Sequence, residues 1–456
     1  MASRTSGDLS QPELTRELPI GVRAAFWIGL YLLVILTPLA VVLLADAPPG
    51  RGFVIDFSVA LGFVGLALMG LEFALCARFK AASAPFGMDA VVQFHRQISY
   101  VALVLILAHP ILLFLENSDT LKSLNVFDAP ARSRLSVLSV VALLLLIATS
   151  IWRARLRISY EAWQVLHSIL AVVCVAAALV HAILVGYYLN TDWKVGVWIV
   201  YSAALVWLLV WVRFVKPFQR YRRPWTVVRV QPEPDSTWTL VVAPEGHPGF
   251  TFMPGQYAWI TVNRSPFTIT NHPFSFSSSS ERAPGELMLS IKARGDFTST
   301  IKDVPEGARV YVDGPHGVLS CDRYQGPGYV FIGGRVGVTP LLSMLRTLAD
   351  REDRRPCTLI LASADFDSIA FREDIEELER RLDLTVVHVL RHPPPDWTGE
   401  TGYVDAGTLE RHLPDGYARL QYFVCGTQEF MNEMEKAIVA VGVPFVNVHT
   451  ERFDMV

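Results

Sequence analysis

The sequence predicts a multi-domain chain: an all-α six-helix transmembrane bundle, then an antiparallel β-barrel, then an α/β domain on a parallel sheet. Three observations carry that reading. Nearly all long apolar runs fall within residues 23–216. From Trp225, short runs rich in β-branched and aromatic residues alternate with Pro and Gly turns. From about Gly328 the pattern becomes strand, helix, strand, which calls for parallel strands joined by crossovers. The expected boundaries are a tail at 1–22, the membrane bundle at 23–216, the barrel at 217–322 and the α/β domain at 323–456.

Composition agrees with this division. With 52% hydrophobic and 18% charged residues, the chain carries little charge for a soluble protein, and residues 217–456 alone have ordinary globular character. A net charge of -3 argues against nucleic acid as a partner. The cysteines Cys76, Cys174, Cys321, Cys357 and Cys425 are scattered without a CxxC pair, which argues against an iron–sulfur cluster or structural zinc. The polar first 22 residues lack a signal peptide's basic start and cleavage site, so a disordered tail is expected.

Apolar stretches of spanning length run at about 24–45, 53–77, 91–115, 135–152, 162–188 and 195–215. Arg78 and Lys80, then Arg153, Arg155 and Arg157, then Lys216, Arg220, Arg222 and Arg223 mark one side of the membrane. The basic residues of the other side are diluted by acids such as Asp46, Glu116 and Asp128. The bias predicts a multi-pass protein of the plasma (inner) membrane with both termini in the cytoplasm.

Only four histidines precede residue 217: His95, His109, His167 and His181. They form two pairs, each fourteen residues apart, on the third and fifth stretches. Fourteen residues of helix rise roughly 21 Å through almost four turns, so both members of a pair share a face. Polar glue between helices explains one such histidine, but not two equally spaced pairs on helices predicted parallel. Two haems with bis-imidazole ligation fit the pattern, His95 with His167 near the cytoplasmic face and His109 with His181 near the outer face. Arg96 either pairs with a haem propionate or is a flanking charge that snorkels to the interface.

In the cytoplasmic half, Gly333-Gly334-Arg335-Val336-Gly337-Val338-Thr339-Pro340 follows a strand and opens a helix. Such a turn lets backbone approach a pyrophosphate at a helix N-terminus, although Gly-rich turns also serve packing. Upstream lie Pro254-Gly255-Gln256-Tyr257 and His272-Pro273-Phe274-Ser275. Lys292, Gly295 with Thr298, and Asp313-Gly314-Pro315-His316-Gly317 follow. Phe274 and Ser275 offer an aromatic face and a hydroxyl to an isoalloxazine, while Lys292, Gly295 and Thr298 offer charge and donors to a pyrophosphate.

Taken together these motifs resemble the NADPH oxidase and ferric reductase superfamily, from about residue 25 to the end. The resemblance implies two b-type haems (haem b), FAD, and NADPH or NADH. It implies electron flow from the nucleotide through FAD and both haems to an acceptor across the bilayer, either O2 giving superoxide, or a ferric chelate or an extracytoplasmic protein partner. It places Cys425-Gly426 beside the nicotinamide and Phe453 over the flavin. The plainer readings are a buried strand-end thiol for Cys425 and a core residue for Phe453. The family's loop usually has glycine where this chain has Arg335. In a left-handed conformation arginine costs on the order of 1 kcal/mol there, whereas its guanidinium would add a pyrophosphate contact. Ser363, with Arg372 or Arg391, leans the nucleotide toward NADPH against nearby Asp365 and Asp367. No calcium loop of the D-x-[DN]-x-[DN]-G form is present, so activity without a regulatory subunit is expected.

Overall fold

The computed structural model describes residues 19–44, 47–268 and 272–452. Six of its helices are long and apolar enough to cross a membrane. They are Ile20–Leu44, Phe53–Leu75, Met88–Glu116, Ala131–Ile151, Tyr160–Val185 and Asp192–Val210, the last running on through a π-turn at Trp211–Val215 to Lys216–Tyr221. The boundaries differ from the apolar runs for local reasons. Gly186 adopts a left-handed conformation (φ +67°) and stops the fifth helix at Val185. The third starts early, with Asp89 in its first turn complementing the helix dipole.

The packing of these helices separates the histidine-bearing pair. The second span packs on the third and the fourth on the fifth, while the third and fifth make almost no close contact with each other. Small residues set the first of those seams. A Cβ on Gly65 would come within 2.7 Å of the Ile106 side chain, and one on Gly62 within 3.3 Å of the His109 ring. Glycine at both positions lets the two backbones approach.

The barrel contains β1 (Trp225–Glu233), β2 (Thr237–Pro244), β3 (Tyr257–Val262), β4 (His272–Ser275), β5 (Leu287–Lys292) and β6 (Arg309–His316). Their order is β4-β3-β6-β1-β2-β5, and the Phe276–Leu289 bridge joins the two edges. Leu240, Ile260, Phe276, Leu289 and Val310 fill the interior.

The last domain has β7 (Tyr329–Gly334), β8 (Cys357–Ser363), β9 (Leu384–Leu390), β10 (Glu400–Thr401), β11 (Gln421–Cys425) and β12 (Val448–Thr450). They form one parallel sheet in the order β10-β9-β8-β7-β11-β12. The two edge strands are too short to give a periodic signal and escape sequence reading. The helix Val338–Asp350 joins this domain to the barrel: Ser343 and Arg346 donate to the Ser278 and Ser277 carbonyls, both at 2.7 Å.

Candidate functional site

Parallel strands place ligand-contacting loops beyond their carboxyl ends, and two predicted motifs meet there. Gly333 at the end of β7 lies opposite Cys425 at the end of β11. A Cβ on Gly337 would stand 2.4 Å from the Cys425 carbonyl oxygen and 2.8 Å from the Gly426 Cα, so only glycine fits. A Cβ on Gly334 or Gly426 would press on the Phe430 ring. Arg335 is exposed with φ +54°, so the left-handed conformation is present and its guanidinium is free to reach solvent. Thr339 and Pro340 are buried, and the Thr339 hydroxyl is spent on the Val336 carbonyl (2.8 Å) rather than turned to a ligand. Ser363 is buried at the end of β8, its hydroxyl without a hydrogen-bond partner among the described residues, beside Arg391, whose amide donates to the Ser363 carbonyl.

Cys425 is buried, and burial together with the nearby Glu451 carboxylate pushes its thiol up to about 12. Sequence reasoning missed Glu451. It is fully buried, its Oε1 accepts from the Val318 amide (3.1 Å), and Oε2 has no hydrogen-bond partner among the described residues. Burial first, and Asp89 second, push its carboxyl up to about 8. Its one sequence signal was its position two residues before Phe453. Phe453 itself lies outside the described residues.

On the barrel, β3 pairs with β4, setting Tyr257 opposite Ser275 and Ala258 opposite Phe274. His272 stacks on Phe297 at 4.1 Å and 12°, and Phe274 faces the same ring at 6.2 Å. Three expected pyrophosphate donors are otherwise engaged. Lys292 pairs with Asp235, and Thr298 Oγ1 accepts from the Gly295 amide (2.9 Å) because the short helix at Asp296–Ser299 uses it as a cap. A dinucleotide there would have to displace these bonds.

The His95 and His167 rings stand edge to face at an interplanar angle of 65°, with centroids 6.4 Å apart. Metal–imidazole bonds of about 2.0–2.1 Å on either side of one ion put ring centroids roughly 6 Å apart. Every Nδ1 is taken. His109 donates to the Ser58 carbonyl (2.9 Å) and His181 to the Arg132 carbonyl (2.7 Å). His167 Nδ1 meets the Ser150 hydroxyl (3.2 Å), and His95 Nδ1 meets the Glu72 carboxylate. A carbonyl only accepts, so Nδ1 of His109 and of His181 carries the proton and leaves the Nε2 lone pair for a ligand. Among the described residues no group of three or more His, Cys, Asp or Glu is arranged for a bare metal ion. Pairs of histidines suit a haem, whose ring supplies the other four donors.

The barrel docks at the His95/His167 end. Arg78 reaches Asp313 at 3.3 Å and covers the Trp259 ring at 4.2 Å, while Lys80 donates to the Gly314 carbonyl at 2.5 Å. Burial alone would raise the Asp313 carboxyl; His316, Arg78 and Arg220 hold it well below the usual carboxylate range. A cleft opens here, lined by Cys76, Arg78, Arg213, Lys216, Arg220 and Asp313. Arg96 is exposed. The cation beside the pair is instead Arg213, which donates to Ser168 next to His167 (2.7 Å).

Three family models match the chain: a ferric reductase like transmembrane component over residues 61–178, an FAD-binding domain over 222–320 and an oxidoreductase NAD-binding domain over 331–436. The chain has the domain architecture of the NADPH oxidase and ferric reductase superfamily. The matches describe a membrane component followed by FAD-binding and NAD-binding domains, on a chain with six candidate membrane spans among the described residues. The transmembrane match includes His95, His109 and His167 and ends before His181.

Similar proteins include the flavohemoprotein of Bacillus subtilis (strain 168), 25% identical over 51% of this chain and 59% of its own length. NADH-cytochrome b5 reductase 1 of Debaryomyces hansenii is 25% identical over 41% of this chain and 67% of its own length. The chain thus spans about three fifths of the first of these relatives and two thirds of the second. Among solved structures, the FAD/NAD-binding domain of nitric oxide dioxygenase from Vibrio cholerae O1 biovar El Tor is 23% identical, covering 51% of this chain and 98% of that one, with a TM-score of 0.46.

Proposed function

We propose that the chain carries electrons from cytoplasmic NADPH, through FAD and two haems held by His95/His167 and His109/His181, to O2 on the outer face, releasing superoxide. The observation that carries the reading is two histidine pairs at equal spacing, His95 and His167 with ring centroids 6.4 Å apart and each Nδ1 met by a partner, with the FAD and NAD(P)H module seated at the end that bears His95 and His167. When bound, FAD turns a hydride into single electrons and the haems relay them. The Gly333–Gly337 turn and the Val338–Asp350 helix would hold the nucleotide, and Cys425-Gly426 would flank its nicotinamide. Tyr257 and His272-Pro273-Phe274-Ser275 would hold the flavin, with Phe453 covering it. Ser363 and Arg391 favour the 2′-phosphate of NADPH.

The four histidines would hold two haems, one pair to each, and would leave no open iron site, so the haems would supply outer-sphere electron transfer to O2, with superoxide as the first product. Arg78, Arg213, Lys216 and Arg220 face the side from which charge arrives, in keeping with both termini lying in the cytoplasm. The test is NADPH-driven cytochrome c reduction by the purified, FAD-supplemented protein with and without superoxide dismutase. Strong inhibition by the dismutase is expected. A rate that persists would assign the electrons to direct transfer, as in a ferric-chelate reductase.

A further inference from the structure

The two histidine pairs are not supported alike. At the outer pair both Nδ1 atoms face neutral backbone carbonyls, those of Ser58 and Arg132. At the inner pair His167 faces a neutral hydroxyl, that of Ser150, but His95 faces the carboxylate of Glu72. Glu72 lies on the second span, one turn before Cys76, and its side chain is only 14% exposed. The Cys76 thiol also approaches His95 Nδ1, at 3.6 Å, and the Ser99 hydroxyl donates to the His95 carbonyl at 2.7 Å. An ionisable group at this depth is costly and calls for a reason.

A carboxylate in contact with Nδ1 of a ligating imidazole favours the Nδ1–H tautomer electrostatically and makes Nε2 a stronger donor. Stronger donation stabilises the ferric over the ferrous state. One asymmetric charge in contact with one of four ligands therefore separates the two centres energetically.

We infer that Glu72 is a positioning residue that lowers the reduction potential of the inner haem relative to the outer one and so biases electron flow outward. The inference rests on the haem reading proposed above. Its balance is one electron: the electron lost at the inner iron, ferrous to ferric, is the electron gained at the outer iron, ferric to ferrous, with no proton or other reactant. The cations Arg78 and Arg213 act in the opposite sense, but Arg78 is paired with Asp313 at 3.3 Å and Arg213 is held on the Ser168 hydroxyl, while Glu72 touches the ring.

The experiment is an anaerobic optical redox titration of the full-length protein and its Glu72→Gln variant, with haem counted in each preparation. Glutamine keeps a neutral acceptor and removes the charge. The lower of the two waves should rise by at least tenfold in its one-electron equilibrium constant, about 59 mV, while the upper wave stays in place. Two haems per chain with neither wave displaced would overturn the inference. A wild-type preparation without haem would instead overturn the haem reading itself. Should Glu72→Gln not accumulate, His109→Ala supplies a second test by removing the outer seat. Its remaining wave should match the lower of the wild-type pair, and a match to the upper wave overturns the inference.

Discussion

Asp313 is the residue on which the seam between barrel and membrane bundle most depends, and Asp313→Asn isolates its charge. The carboxylate stands 3.3 Å from the Arg78 guanidinium and 3.9 Å from that of Arg220. At an effective dielectric of about 20 these pairs amount to roughly 5 and 4 kcal/mol of gross attraction, much of it offset by desolvation. The side chains are only 20% and 15% exposed, so solvent cannot replace the lost partner. Stranding buried charges in this way costs about 3–5 kcal/mol. Asp313 is on β6 while Arg78 and Arg220 belong to the bundle, so the cost falls on docking rather than on either fold. Even about 1.4 kcal/mol of it lowers the docked-to-undocked ratio tenfold. Anaerobic stopped-flow mixing with NADPH separates the steps. Flavin bleaching, internal to the soluble module, should keep its rate, while haem reduction should slow by tenfold or more. Unchanged haem reduction together with an unchanged Tm would refute the assignment of this contact to the seam.

Three further outcomes follow from the nucleotide end. Gly337→Ala drives a Cβ into the Cys425 carbonyl, backbone against backbone; overpacking of this kind costs about 1–3 kcal/mol, and the nucleotide KM should rise by about fivefold or more with FAD content unchanged. Arg335→Gly relieves a left-handed arginine at φ +54° and should raise stability by about 1 kcal/mol while raising the nucleotide KM; an unchanged or lower KM rejects the pyrophosphate contact. Glu451 titrates near 8 in the fold against an ordinary 4.5, so its contribution is fully present below about pH 4.5 and is lost as pH rises toward 8, by up to about 1.4 kcal/mol per pH unit. Glu451→Gln should therefore flatten the decline in Tm between pH 5 and pH 8, and an equally steep decline in the variant would sink the argument.

The parts legible in sequence were those governed by period and reach. Six spans, the strand alternation and the spacing of His95, His109, His167 and His181 follow from helix geometry and from the cost of polar groups in lipid. What stayed hidden depends on contacts between distant segments. Glu72 reads as a charge at a helix end until the second and third spans pack and bring it to His95, and Glu451 reads as a terminal acid until β12 pairs with β11 beside Cys425. Lys292 and Thr298 look like free donors in sequence, but nearby Asp235 and the short cap at Gly295 claim them. Arg96, adjacent to a histidine in sequence, is exposed because successive helix residues point about 100° apart.

The central claim is that electrons cross the bilayer by way of the four histidines. Proteoliposomes with cytochrome c trapped inside test it when NADPH and FAD are supplied only outside. The account predicts reduction of the trapped acceptor by the protein whose module faces outward, and its loss in His109→Ala and His181→Ala while NADPH-driven flavin bleaching continues. Reduction that persists undiminished in both variants would contradict it.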